Sequence, residues 1–352
     1  MVFVGPGSGA ATSAEVFDWP HKPANPAVTI PDYPLPVERT AADQVAGKAT
    51  FCGGQGGGRE CHVLDPDSLQ WEYFPPMSYE RNYPAEVVLP GGKWMVFGGG
   101  ASESEIFDPA AWSWSMGPDI PDVFTDGFCA ALVNDDTVFL FGGWSGEGHV
   151  LHLSSGTWEK VTDVPDGVNR YHHKCTGMTN ERAVVVGGEH DGHYKSTVQV
   201  FHYNTKTWQD GPDLPIEGGI KGFGLVTSGE DLVVFGGVDG SYVPSNKIYY
   251  LSNIESSWEL MSYNLRSARI HFSTFGIDAS AIGGSFSPTT SPYTTRTSPS
   301  WSTKSSTTQK ATTENSDCPG GSLDVCISLC PVEPVEFYQK CVEQCLAACN
   351  YD

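Results

Sequence analysis

The chain has 352 residues, of which 39% are hydrophobic, with 10 Trp, 14 Tyr and 17 Phe, enough to bury a large core. Its formal charge of -22, from 42 acidic against 20 basic side chains, argues against a nucleic-acid partner, which requires clustered Lys and Arg. No run of 18 apolar residues is present, so no membrane span is expected.

The opening stretch, MVFVGPGSGAATS, has neither the basic region nor the apolar length of a secretory signal, and MVFVG itself has the look of the end of a strand. Residues 14–18, AEVFD, match EIFD at 105–108 and HVLD at 62–65, and are expected to form a third strand. From there a unit recurs. Glycine pairs stand at Gly53-Gly54, Gly98-Gly99, Gly142-Gly143, Gly187-Gly188, Gly236-Gly237 and Gly283-Gly284, spaced 44 to 49 residues apart. Each of the first five is followed by a tryptophan, namely Trp71, Trp114, Trp158, Trp208 and Trp258. A period in the 40s built from four short strands marks a propeller blade. The strands themselves (AEVVL, KWMVF, TVFLF, DLVVF) are short apolar runs, as expected where both faces of a sheet are covered. The tryptophans are expected to pack between neighbouring sheets.

A glycine pair closing one strand, an aromatic strand after it (EIFDP, VFHYN, IYYLS) and a later Trp resemble kelch repeats over roughly residues 14–284. The resemblance implies an all-β, kelch-type β-propeller, commonly a binding platform, with no particular activity attached. Residues 269–284 are expected to supply first and second strands to the third strand at 14–18, closing a ring of six blades. A seventh blade would need further upstream sequence.

The domain reading is therefore propeller over 1–284, linker over 285–316 and a Cys-rich helical hairpin over 317–352. The linker is more than half Ser and Thr and resembles an O-glycosylated stalk, with a plain linker as the rival reading. In the tail, Cys326 and Cys330 are i, i+4, as are Cys341 and Cys345. Two short antiparallel helices would pair Cys330 with Cys341 and Cys326 with Cys345, leaving Cys318 for Cys349; six cysteines allow fifteen pairings. Zinc is the rival, although the tail has no histidine. In the propeller Cys52 and Cys61 flank the first glycine turn and are expected to bridge. Cys129 and Cys175 occupy similar positions in neighbouring first strands, where a bridge and two buried thiols are equally consistent with the spacing. Disulfide use points to an extracellular, secreted protein.

No catalytic motif stands out: no GxSxG elbow, no phosphate-binding glycine loop, no full ligand set of a copper radical oxidase. The chain is read as no enzyme, with no cofactor and no metal assigned. Candidate binding residues lie in loops expected on one face: Arg81 and Tyr83, Trp144 and His149, Arg170, Tyr171 and His172, His190, Asp191 and His193, Asp239 and Tyr242, and Arg269. Aromatic and Arg side chains are the usual energetic centres of interfaces. The strand-entry cations Arg81, Arg170, Lys221 and Arg269 would line the channel mouth and meet acidic groups of a ligand, unless they pair with neighbouring carboxylates. Carboxylate and imidazole at 189–193 also suit a transition metal, against the plainer reading of exposed polar residues. The partner expected is a protein or glycan, with the tail attaching or oligomerising the module. A propeller-type oxidase or lyase and an intracellular kelch adaptor are the alternatives.

Overall fold

The computed structural model describes residues 1–9, 12–17, 30–122, 127–143, 146–161 and 170–282. They form a six-bladed β-propeller. Five blades are four-stranded antiparallel sheets with strands in sequence order. Blade 1 comprises Ala41–Val45, Lys48–Cys52, Cys61–Asp65 and Gln70–Phe74. Blade 2 comprises Ala85–Val88, Trp94–Phe97, Glu103–Asp108 and Ser113–Asp119. Blade 3 runs through Phe128–Asn134, Thr137–Gly142, Glu147–His152 and Thr157–Lys160. Blade 4 has Lys174–Met178, Arg182–Val186, Val198–His202 and Thr207–Asp210. Blade 5 has Gly224–Ser228, Asp231–Phe235, Ile248–Leu251 and Glu259–Leu260.

The sixth blade joins the two ends of the ring. Val2–Val4 pairs on one side with Glu15–Phe17 and on the other with Thr274–Gly276, Phe3 lying opposite Phe275. Closure thus comes from the N-terminal segment, as expected, but the division of strands differs. Of the stretch 269–284, the described residues 269–282 supply the first strand alone, because MVFVG takes the second position. Residues Ala279–Ile282, expected to be strand, form a 3-10 turn whose Ala281 and Ile282 are buried. The Phe3 and Phe275 rings stack at 5.2 Å, a cross-strand pairing that favours Val2–Val4 for the central place. Gly283-Gly284, the linker and the tail with Cys318, Cys326, Cys330, Cys341, Cys345 and Cys349 lie outside the described residues.

The first strands of successive blades neighbour one another in the cyclic order 1-2-3-4-5-6-1 and so enclose a central channel. Six apolar clusters hold the ring, one at each interface between neighbouring blades. This explains why second strands such as Trp94–Phe97 are buried along their whole length: both faces meet another sheet. The tryptophans act as expected. Each sits part-buried in or beside an outer strand, and four donate the indole N–H to a carbonyl at or beyond the end of the preceding blade: Trp71 to Pro31, Trp114 to Pro75, Trp158 to Asp119 and Trp258 to Pro212, at 2.7–3.0 Å. Two disulfides are present. Cys52–Cys61 joins directly opposed residues of blade 1, and Cys129–Cys175 joins the first strands of blades 3 and 4.

Candidate functional site: the channel and its mouth

One backbone feature repeats in every blade. Just before each first strand a single residue adopts a left-handed conformation: Arg39, Tyr83, Gly127, His172, Gly222 and His271, with φ between 58° and 67°. Four of the six are not glycine, an uncommon choice for that region. The strain is supported by backbone hydrogen bonds that run from blade to blade around the channel. The N–H of Tyr83 donates to Arg39 O, Arg39 to His271 O, His271 to Gly222 O, and Gly222 to His172 O, at 2.6–3.2 Å.

This ring places three aromatic side chains, one from each alternate blade, against one another. Tyr83 stacks on His172 with centroids 4.7 Å apart and an interplanar angle of 9°. His271 approaches both, at 5.2 Å from His172 and 5.5 Å from Tyr83. Glycine in blade 5 makes room, since a Cβ on Gly222 would stand 2.3 Å from His271 Cδ2. Arg39 completes the cluster, its guanidinium 4.9 Å over the Tyr83 ring and its Nε donating to His271 Nδ1 at 3.0 Å. His271 is therefore a neutral imidazole with its proton on Nε2, and that nitrogen is buried with no partner among the described residues. Burial first, then the charges of Lys221, Arg39 and Lys174, push His172 down to about 3. Burial, with Arg39 next, holds His271 well below the usual imidazole range.

Beside this cluster Glu189 is buried, accepting from Lys221 Nζ and from the Tyr171 hydroxyl at 3.4 Å. Below it, the channel encloses a cavity of about 320 Å³. Asp43, Glu86 and Lys174 stand on the wall, from the first strands of blades 1, 2 and 4. Glu86 accepts from the backbone N–H of Ala42 at 3.5 Å, and Asp43 from that of Gln44 at 2.7 Å. Burial pushes both carboxyls up to about 7, Lys174 partly offsetting this at Glu86 and Asp43 adding to it.

With this geometry the chain is similar to the solved structure of YjhT, with a TM-score of 0.60 and 13% identity over 70% of this chain and 89% of that protein. The likeness is one of fold. No protein-family model matches the chain, nor does any curated protein sequence.

The sequence-derived candidates divide into three groups. Tyr83, Tyr171 and His172 meet at the channel mouth, Tyr171 lying edge-on to His172 at 5.1 Å. His190, Asp191 and His193 lie on a neighbouring hairpin in which His190 pairs with His193 and Asp191 is exposed. Among the described residues no group of three or more His, Cys, Asp or Glu is placed to hold a metal. Asp239 caps its own turn, accepting from Ser241 N at 2.9 Å, while its carbonyl accepts from Tyr242 N at 2.9 Å. The turn holds Tyr242 at φ 62° with its ring 70% exposed, 5.5 Å from Tyr194. Trp144 lies outside the described residues.

The third group is a correction. Arg81, Arg170 and Arg269 do not line the mouth; each is fully buried within its blade. Arg81 binds Glu105 on the third strand of blade 2 and donates to the carbonyls of Gly98 and Glu103. Arg269 likewise binds Glu15 and Gly5 O, and Arg170 binds Gln199 at 3.0 Å. His149 is also interior, opposite Leu140 in blade 3, the place that Glu105 holds opposite Val96 in blade 2. Lys221 does reach the mouth, but paired with Glu189. Sequence reasoning missed Arg39, His271, Asp43, Glu86 and Lys174 as members of the site.

The ionisable groups fix a pH signature. Asp43 and Glu86 have folded-state values above their unfolded ones, so they weaken the fold most above about 7, and the penalty fades as pH falls to their unfolded value of about 4. The double variant Asp43→Asn/Glu86→Gln should therefore exceed the parent in urea midpoint at pH 8 and match it near pH 4. His172 and His173, both lowered to about 3 chiefly by burial, act the other way: their contribution is complete above about 6.5 and is lost as pH falls towards 3.

Proposed function

We propose that the protein is a non-enzymatic binding module that works outside the cell and recognises a protein or glycan at the channel mouth. The observation that carries this reading is the mouth itself, where Tyr83, His172 and His271 are held in strained left-handed conformations around an unpartnered imidazole nitrogen. Backbone strain of this kind collects at ligand clamps. Tyr242, exposed on a capped turn beside Tyr194, extends the surface with the residue type most often central to interfaces. Two disulfides suit an oxidising compartment, and no helix among the described residues is long and apolar enough to cross a membrane.

The test is a screen of the secreted chain against panels of immobilised glycans and extracellular proteins, followed by variants. Tyr242→Ala is expected to leave the urea midpoint unchanged while weakening the ligand found by about tenfold or more, a typical effect for a truncated interface tyrosine. His172→Ala should weaken it further. A ligand indifferent to both substitutions would remove the mouth from consideration.

A further inference from the structure

The channel wall beneath the mouth has a composition the fold does not require. Counted from the left-handed residue of each blade, the third position is Glu86 in blade 2 but alanine, cysteine, leucine or threonine elsewhere. The fourth is Asp43 in blade 1 and uncharged in the other five, and the second is Lys174 in blade 4 and small in the others. Five blades thus show at each level that the strand forms without a charge there. Inserting three charged groups into a confined wall costs desolvation energy that packing does not return.

His173 adds an independent sign. It also lies on the cavity wall, is 3% exposed, and hydrogen-bonds through Nε2 to Phe141 O at 3.1 Å. A carbonyl only accepts, so Nε2 carries the proton and Nδ1 is left as a lone-pair acceptor, with no partner among the described residues. The wall therefore carries two carboxyls against one ammonium, and one of its residues keeps a buried, unpartnered imidazole nitrogen.

We propose that the channel is a site for a small organic cation, a primary alkylammonium whose N–H groups are taken by Asp43 and Glu86. Lys174 balances one carboxylate; the ligand balances the second. A cavity of about 320 Å³ admits an ammonium carrying a few carbons, at the small end of ligand sites. At the end of the channel away from the mouth the lining includes Val88, Leu132, Gly177, Thr227 and the exposed Gly276. This site is separate from the mouth and does not rest on the reading given for it.

Titration calorimetry with n-propylammonium chloride tests the site, with tetramethylammonium, which has no N–H, as control for ions attracted to an acidic protein. Saturable one-to-one binding of the first and none of the second is expected at pH 7. Because burial keeps both carboxyls partly protonated at that pH, binding should release protons, so the measured heat should change with the ionisation enthalpy of the buffer. Asp43→Asn and Glu86→Gln should each weaken binding about tenfold or more while leaving the protein at least as stable, the usual trade at a functional site. Lys174→Met, which removes the competing ammonium, should tighten it several-fold, and this gain cannot come from a misfolded variant. Equal binding of the two ions, or affinity unchanged by all three substitutions, would overturn the proposal.

Discussion

Arg81→Ala should lower the free energy of unfolding by about 3–5 kcal/mol, measured by urea denaturation at neutral pH. The guanidinium and the Glu105 carboxylate are both 0% exposed and 3.0 Å apart. Glu105 also accepts from Ser78 N at 2.6 Å, so a single network ties the approach to the first strand to the third strand of the same blade. Removing the arginine strands a buried carboxylate and frees the carbonyls of Gly98 and Glu103, which is where the cost arises. The pair Arg81→Met/Glu105→Leu removes both charges and should recover much of the loss, since a buried ion pair and a packed apolar pair are often close in energy. A loss below about 1 kcal/mol for Arg81→Ala would mean that the network does not hold the blade.

Cys129→Ser/Cys175→Ser should cost about 4 kcal/mol, and Cys52→Ser/Cys61→Ser about 3 kcal/mol, on the chain-entropy relation for separations of 46 and 9 residues. The first bridge has a further consequence the second lacks. It joins first strands that belong to different sheets, whereas Cys52 and Cys61 are already opposed within one ladder. Its loss should therefore raise amide exchange in the first strands of blades 3 and 4 together. If the within-blade pair proves the costlier, the ring is not held at that interface by the disulfide.

How far the sequence reveals this molecule depends on what repeats. The glycine pairs and tryptophans recur because each blade needs the same sharp turn and the same fastener to its neighbour, so the architecture is legible. The closing blade is only half legible: AIGG at 281–284 imitates the end of a second strand, and nothing local says that Val2–Val4 will take the place between Glu15–Phe17 and Thr274–Gly276, far apart in the chain. Arg81, Arg170 and Arg269 misled for a related reason. A cation at a loop-strand junction reads as exposed, and its acidic or amide partner stands on another strand that the local sequence does not identify. The mouth is hidden by conformation, since Arg39, Tyr83, His172 and His271 occupy a position where glycine is the ordinary signal. Asp43, Glu86 and Lys174 did leave a trace, each a lone charge in a short apolar or small-residue strand, legible once the repeats are aligned.

The way the ring closes also sets the order in which the blades can be completed during synthesis. Val2–Val4 leaves the ribosome well before one of its two partners, which is synthesised about 270 residues later. At 5–20 residues per second that is a wait of roughly 14–54 s. Throughout it an apolar strand with an open edge is presented to the cell, a template for unwanted pairing. Blades 1 to 5 complete their own sheets as they emerge, whereas the sixth cannot. A cell making this protein therefore has most to gain from a chaperone that covers Val2–Val4 until its last partner strand arrives.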